Sequence, residues 1–183
     1  MKRFCLAGWL LLAMLCPLRA ENRQNAVVEF LQAVQNGVQP GQTFVIPQSD
    51  LNAFIQQQIA QSRVAAVKSV SVTLSEGTFD STVVVDFDKL QAQQGVSSVI
   101  KSMFQGEQVL KLEGSVSGKD GLVHYETESA SVNGIPLPAS VVDMLLSSIG
   151  KEQQPPFDPT KPFPLPQGIK TLTVEAGAVR LTS

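Results

Sequence analysis

QVLKLEGSVSGKDGLVHYETESASV, residues 108–132, is the stretch whose reading decides the fold. Lys119-Asp120-Gly121 is a strong tight-turn signal between two extended runs, 108–118 and 122–132. Each run is about eleven residues long, where ordinary strands have about five or six. Strands of that length suit a strongly curved sheet wrapping around helices. Gly114, inside the first run, marks a bulge or a bend.

Two more hairpins flank this one. In KSVSVTLSE (68–76), Val70, Val72 and Leu74 alternate with Ser69, Ser71, Thr73 and Ser75, the period of a half-buried strand. Gly77 turns the chain into TFDSTVVVDFDK (78–89), a second strand with Val83, Val85 and Phe87 on one face. Near the end, GIKTLTVEAGAVRLT (168–182) folds on Glu175-Ala176-Gly177, bringing Leu172 and Val174 opposite Val179 and Leu181.

Helical periodicity fills the intervals. Asn22 to Gly37 carries Ala26, Val27, Phe30, Leu31 and Val34 on one face, with Gly37 as the stop. Residues 38–47 form a loop with a short extended piece. Ser49 or Asp50 caps a second helix over 49–62, with the stripe Leu51, Phe54, Ile55 and Ile59; its glutamine face, Gln56 to Gln58 and Gln61, reads as solvated. A third helix is expected over 93–104 and a fourth over 139–149, where Val141, Val142, Leu145, Leu146 and Ile149 make an arc wider than a short surface helix needs. Pro136 and Pro138 hold Ile135 and Leu137 extended before it. Residues 155–166 hold six of the eleven prolines and read as an extended arm that can be neither helix nor central strand.

The first twenty residues pair a basic start, Lys2 and Arg3, with an apolar run from Phe4 to Cys16, broken at Pro17 and ending at the small residue Ala20. This is the pattern of a secretory signal peptide. It implies export, to a periplasm or to the outside, after cleavage near Ala20. Leu15 ahead of Cys16 argues against a lipoprotein site. Cleavage removes both cysteines, so no disulfide, thiolate metal site or cysteine nucleophile is expected in residues 21–183. It also removes three of fourteen basic residues against sixteen acids, leaving a net charge of about −5 and no footprint for nucleic acid. Residues 21–183 are enough for one domain with its own core.

Catalytic motifs are missing. His124 is the only histidine, sits mid-strand and has only Leu122 and Glu126 as strand-face neighbours. Gly114-Ser115-Val116-Ser117-Gly118 places valine where a nucleophile elbow needs serine. Two S-x-x-K matches, Ser98 to Lys101 and Ser148 to Lys151, lack their companion motifs. Asp80, Asp86 and Asp88 read as solvated strand-end acids, with nothing beside them to make a calcium or glycosidase site. Neither a catalytic residue nor a metal or cofactor is expected.

The combination VNGIPLP (132–138) before a short helix and PLPQGIKTLTVEAGAVRL (164–181) at the end resembles the secreted LmeA-type and YpmS-like envelope proteins of bacteria. That resemblance covers mainly residues 130–183. It implies a tubular lipid-binding (TULIP-like) fold, helices cradled by a curved antiparallel sheet, and binding of phospholipid or a similar amphiphile.

The expectation is an α+β domain: a curved antiparallel sheet of about six strands in three hairpins, packed on about four amphipathic helices. Its function would be non-enzymatic binding of a lipid or other hydrophobic molecule in a groove lined by Leu51, Phe54, Ile55, Val141, Leu145, Leu146 and Ile149. A membrane surface or an envelope protein is the further partner expected. The competing expectation is a fully packed interaction or scaffold module that uses the proline arm or a sheet edge.

Overall fold

The computed structural model describes residues 25–61, 67–91, 104–143, 158 and 161–183. The signal sequence, the third helix up to residue 103, residues 144–149 of the fourth helix and most of the proline arm lie outside them. The protein is α+β, built among the described residues on a mostly antiparallel sheet of nine strands rather than about six. The strands are β1 (Thr43–Pro47), β2 (Val67–Ser75), β3 (Thr78–Asp86), β4 (Glu107–Lys119), β5 (Leu122–Val132), β6 (Ile135–Pro136), β7 (Phe163–Pro164), β8 (Thr171–Glu175) and β9 (Ala178–Thr182). The three expected hairpins, β2–β3, β4–β5 and β8–β9, all form. The three additional strands are short pieces whose pairing is long-range: β1 with β9, and β6 and β7 with β5.

β4 organises the sheet. One edge pairs with β3 from Glu107 to Ser115 and then with β8 at Ser117 and Gly118. The sheet therefore branches along a single strand. The β2–β3 turn meets the β8–β9 hairpin end-on: the Gly77 N–H donates to the Val174 carbonyl at 2.9 Å and the Gly177 N–H to the Leu74 carbonyl at 3.0 Å. Two glycines in β4 permit the close approaches. A Cβ on Gly118 would lie 2.7 Å from the Leu172 Cβ, and one on Gly114 would strike the Glu126 carbonyl and the Phe79 ring. The β4–β5 register shifts between Glu113 and Gly114, so the irregularity expected at Gly114 is there, with Glu128 of β5 as the extra residue.

Among the described residues, α1 (Ala26–Asn36) and α2 (Gln48–Gln61) cover one face. Val27, Val28, Phe30 and Leu31 of α1 and Leu51, Phe54 and Ile55 of α2 are buried against Val72, Phe79, Val116, Val123 and Leu181. Phe30, Phe54 and Phe79 are fully buried, each contributing about 1.5–3 kcal/mol. Asn25 caps α1, its Oδ1 accepting from the Val27 N–H at 2.9 Å. Asp50 does not cap its own helix as expected. It lies in the first turn of α2, which starts at Gln48, and its Oδ2 accepts from the Ala26 N–H of α1 at 2.8 Å. One carboxylate thus serves two helix N-termini, where negative charge is favourable.

Gln57 and Gln61 of α2 are exposed as expected, while Gln56 also reaches the neighbouring strand. Gln48, Asn52 and Gln56, four residues apart, hydrogen-bond the backbone of Leu74, Val72 and Val70, two residues apart on β2. Four helical residues rise about 6 Å and two strand residues about 6.7 Å, so the two repeats stay in step over this length. The helix side chains thereby take the place of a neighbouring strand.

β3 ends three residues earlier than expected. Asp86 accepts from the Lys89 N–H at 3.2 Å, capping a short helix, α3 (Phe87–Gln91), so Phe87 leaves the strand. Phe87 then packs on Phe104, ring centroids 5.1 Å apart, in a second small cluster with Val85 and Val132. Phe104 is not helical, contrary to the expected helix end.

Candidate functional site

Among the described residues, burial on the sheet face that carries α1 and α2 is uneven. A large buried cluster lies under α1 and α2 at one end, and the small Phe87–Phe104 cluster lies at the other. Between them runs a strip of half-buried residues: Val83, Leu110, Leu112, Tyr125, Thr127 and Ala130. The register places them side by side. Val83 is opposite Leu110, Leu112 is opposite Ala130, and Gly114 is opposite Thr127. The Gly114–Thr127 row and the neighbouring Ser81–Leu112–Ala130 row put small side chains at the middle of the strip. Phe79 and Tyr125 wall one side, their rings stacked with centroids 5.7 Å apart.

Tyr125 is the only tyrosine in the chain. Burial pushes its phenol above the ordinary value, and the hydrogen bond from the Thr127 hydroxyl, at 3.3 Å, works in the opposite direction. The phenol is therefore neutral throughout the physiological range. Every lysine and arginine among the described residues is exposed. Arg180 is held on the outer face by a two-pronged contact with Glu175, whose carboxyl it keeps below the usual range.

Leu51, Phe54 and Ile55, expected to line a groove, are 2 %, 1 % and 0 % exposed and belong to the large cluster. They present no surface to a ligand in this conformation. Val141 is half-buried on a helical stretch at 139–143 and Val142 beside it is buried. Leu145, Leu146 and Ile149 lie outside the described residues. The structure thus brings Leu51, Phe54 and Ile55 together, and the surface left half-open is made by strand residues instead. Sequence alternation contains that signal in part, since Leu110, Leu112, Tyr125 and Thr127 share a period of two.

His124 stands exposed, paired in register with Ser117 of β4. Asp86 and Asp88 have structural roles. Asp86 caps α3 and pairs with the Lys89 ammonium at 3.2 Å, and the Asp88 carboxylate accepts from the Gly106 N–H at 2.9 Å. Among the described residues no three His, Cys, Asp or Glu side chains gather where they could hold a metal ion, and no helix is long and apolar enough to cross a membrane. The described end of the proline arm is tied down: Phe163 and Pro164 pair with Val123 and Leu122 of β5, and Leu165 is buried.

Comparison with known proteins finds no matching family model, no matching curated protein and no matching solved structure.

Proposed function

We propose that this protein is an exported, non-enzymatic binder of a lipid or other hydrophobic molecule, and that the ligand lies along the half-buried strip of β3, β4 and β5. The observation that carries this is the partly buried apolar surface that joins the two buried clusters of the described residues. Leu110, Leu112 and Val83 point to the core side of the sheet yet remain half-exposed, with small residues between them. Covering such apolar surface releases about 0.8 kcal/mol per buried methylene. About ten buried methylenes would offset an association cost in the range of about 4–15 kcal/mol. An acyl chain is of that size. The signal-like start and the resemblance to envelope lipid binders support the same compartment and ligand class.

The test is uptake from vesicles. Full-length protein incubated with phosphatidylcholine vesicles, re-isolated and sprayed under native conditions should carry lipid. Leu112→Gln should lower that uptake about tenfold, by setting an unpaired amide in the strip, with the fold intact by circular dichroism. A protein that takes up no lipid sinks the proposal.

A second reading, a protein-interaction module, is favoured by one observation. No described strand pairs with the outer edge of β5 between 124 and 129, and that edge could accept a strand from an envelope protein.

A further inference from the structure

We infer that Asn36 is a modification site, a point of spontaneous deamidation in the folded protein, and that the identical Asn133-Gly134 pair is locked against the same reaction by β4. The inference is independent of the proposed ligand.

The chain contains Asn-Gly twice, in Gln35-Asn36-Gly37-Val38 and in Val132-Asn133-Gly134-Ile135. Glycine has no side chain to hinder the approach of its own backbone nitrogen to the preceding carboxamide. That nitrogen, once it has lost its proton, attacks the asparagine Cγ. The bond from Cγ to Nδ2 breaks, ammonia leaves and a five-membered succinimide closes. Water then opens the ring at either carbonyl, giving aspartate or isoaspartate. Water is the one co-reactant, and nothing is oxidised or reduced. Both glycines are followed by a β-branched residue and both asparagines are exposed, so local sequence and exposure give the two sites similar rates. Tertiary contacts separate them.

Asn133 is clamped. Its N–H donates to the Val109 carbonyl at 2.8 Å, and its Oδ1 accepts from the Val109 N–H at 2.8 Å. Nδ2 is thereby turned toward Gln108 and donates to its Oε1. The pairing of Val132 with Ile135 holds the turn, with φ at 49° for Asn133 and 80° for Gly134. Cγ reaches the Gly134 nitrogen only when both side-chain bonds to β4 are given up.

Asn36 is the last residue of α1. The attacking nitrogen, that of Gly37, donates to the Val34 carbonyl at 3.4 Å, outside the usual range of about 2.7–3.2 Å. Helix ends fray, and fraying frees that nitrogen together with the backbone of Asn36. The product has consequences for α1. A carboxylate would stand in a last turn that contains no basic residue, at the helix end where negative charge is unfavourable. Isoaspartate also lengthens the backbone just before Val38, which packs on the large cluster.

The experiment incubates full-length protein in mildly alkaline buffer, with and without urea. Both sites are followed by peptide mapping that resolves isoaspartate from aspartate. In the folded protein Asn36 should convert about tenfold faster than Asn133, the factor that the net strength of the clamp supplies. In urea the two rates should converge. Gln108→Ala releases Nδ2 and should speed Asn133 by about three- to tenfold while leaving Asn36 unchanged. Gln108→Glu still accepts from Nδ2 and should keep Asn133 slow. Equal rates in the folded protein, or a faster Asn133, overturn the inference. A ratio that persists in urea does so as well, because the sequence and not the fold would then set it. Gln108→Ala without effect on Asn133, or Gln108→Glu as fast as Gln108→Ala, overturns the lock.

Discussion

Asn52 of α2 and Val72 of β2 exchange two hydrogen bonds: the Val72 N–H donates to Oδ1 at 2.8 Å and Nδ2 donates to the Val72 carbonyl at 2.7 Å. A carboxamide presents the same donor and acceptor pair as a peptide group, so Asn52 completes β2 as a neighbouring strand would. Gln48 and Gln56 extend the arrangement one step each way. An open edge of alternating Val and Ser residues is a template for pairing with other chains, and this ladder occupies it.

Asn52→Ala should therefore destabilise the protein by about 2 kcal/mol, two hydrogen bonds at about 0.5–1.5 kcal/mol each plus the cost of stranded backbone groups. Urea denaturation measures it. Asn52→Asp keeps the acceptor but sets a carboxylate against the Val72 carbonyl. Its folded-state pKa is then raised, so its deficit should grow as pH rises through about 4 and shrink in acid. A ladder without energetic weight would leave both variants at wild-type stability.

Gly114 and Gly118 allow close approaches that a Cβ would block. Gly114→Ala should cost about 1–3 kcal/mol, the range for overpacking, because its Cβ meets the Glu126 backbone carbonyl, which cannot swing aside. Gly118→Ala meets the backbone nitrogen and Cβ of Leu172 and should cost a similar amount. Thermal melting of either variant at or above the wild-type temperature would contradict the branched sheet.

The first turns of α1 and α2 are coupled through Asp50. Asp50→Ala should lose about 1 kcal/mol, as should Asn25→Ala. The double variant should lose less than the sum, because the Asn25 Nδ2 donates to the Asp50 carbonyl and both side chains serve one helix end. Simple additivity in a double-mutant cycle would argue that the two caps act separately.

Tyr125 makes stability pH-dependent in alkali. Its folded pKa is raised by burial, so above a pH of about 10 the unfolded state releases the proton first. The contribution is present below that value and is lost as pH climbs through the folded pKa. Absorbance of the single phenolate should titrate above the free-tyrosine range and merge with unfolding. Thr127→Val removes the one contact that lowers the pKa and should move the titration higher still. A titration at the free-tyrosine value would mean an open phenol.

Ile135 provides the contrast. It is 70 % exposed in β6, just past the Asn133-Gly134 turn, where both residues take positive φ. Ile135→Ser should change stability by less than about 0.5 kcal/mol. A larger loss in urea titration would mean that the exposed tip is covered in solution.

The hairpins were legible because each combines a period-two pattern with a glycine-bearing turn: Gly77, Asp120-Gly121 and Ala176-Gly177. The buried stripe of α2 was equally plain, but its periodicity does not say what it faces. Leu51, Phe54 and Ile55 have the same periodicity whether they face a ligand or a sheet. Of the glutamine face, Gln57 and Gln61 are exposed as expected, and the bond from Gln56 to the strand edge was not legible. A carboxamide that bonds water and one that bonds a strand edge 14 to 26 residues away look identical in the chain. The strip residues Leu110 and Leu112 alternate as any half-buried strand does, and only their place between two separate clusters distinguishes them.

The sequence by itself determined what short-range physics controls: which segments extend or coil, where the turns fall, and that the ladder is irregular at Gly114. These follow from side-chain period, turn stereochemistry and the absence of a Cβ, and each acts over a few residues. Only the tertiary structure decided which edges meet. β4 shares one edge between β3 and β8, β1 closes on β9, Phe163 and Pro164 return to β5, and α2 seals β2 with side-chain amides. Those choices depend on loop closure over long chain separations and on three-dimensional packing. Among the described residues, that packing buries two ends of one sheet face and leaves the residues between them partly buried.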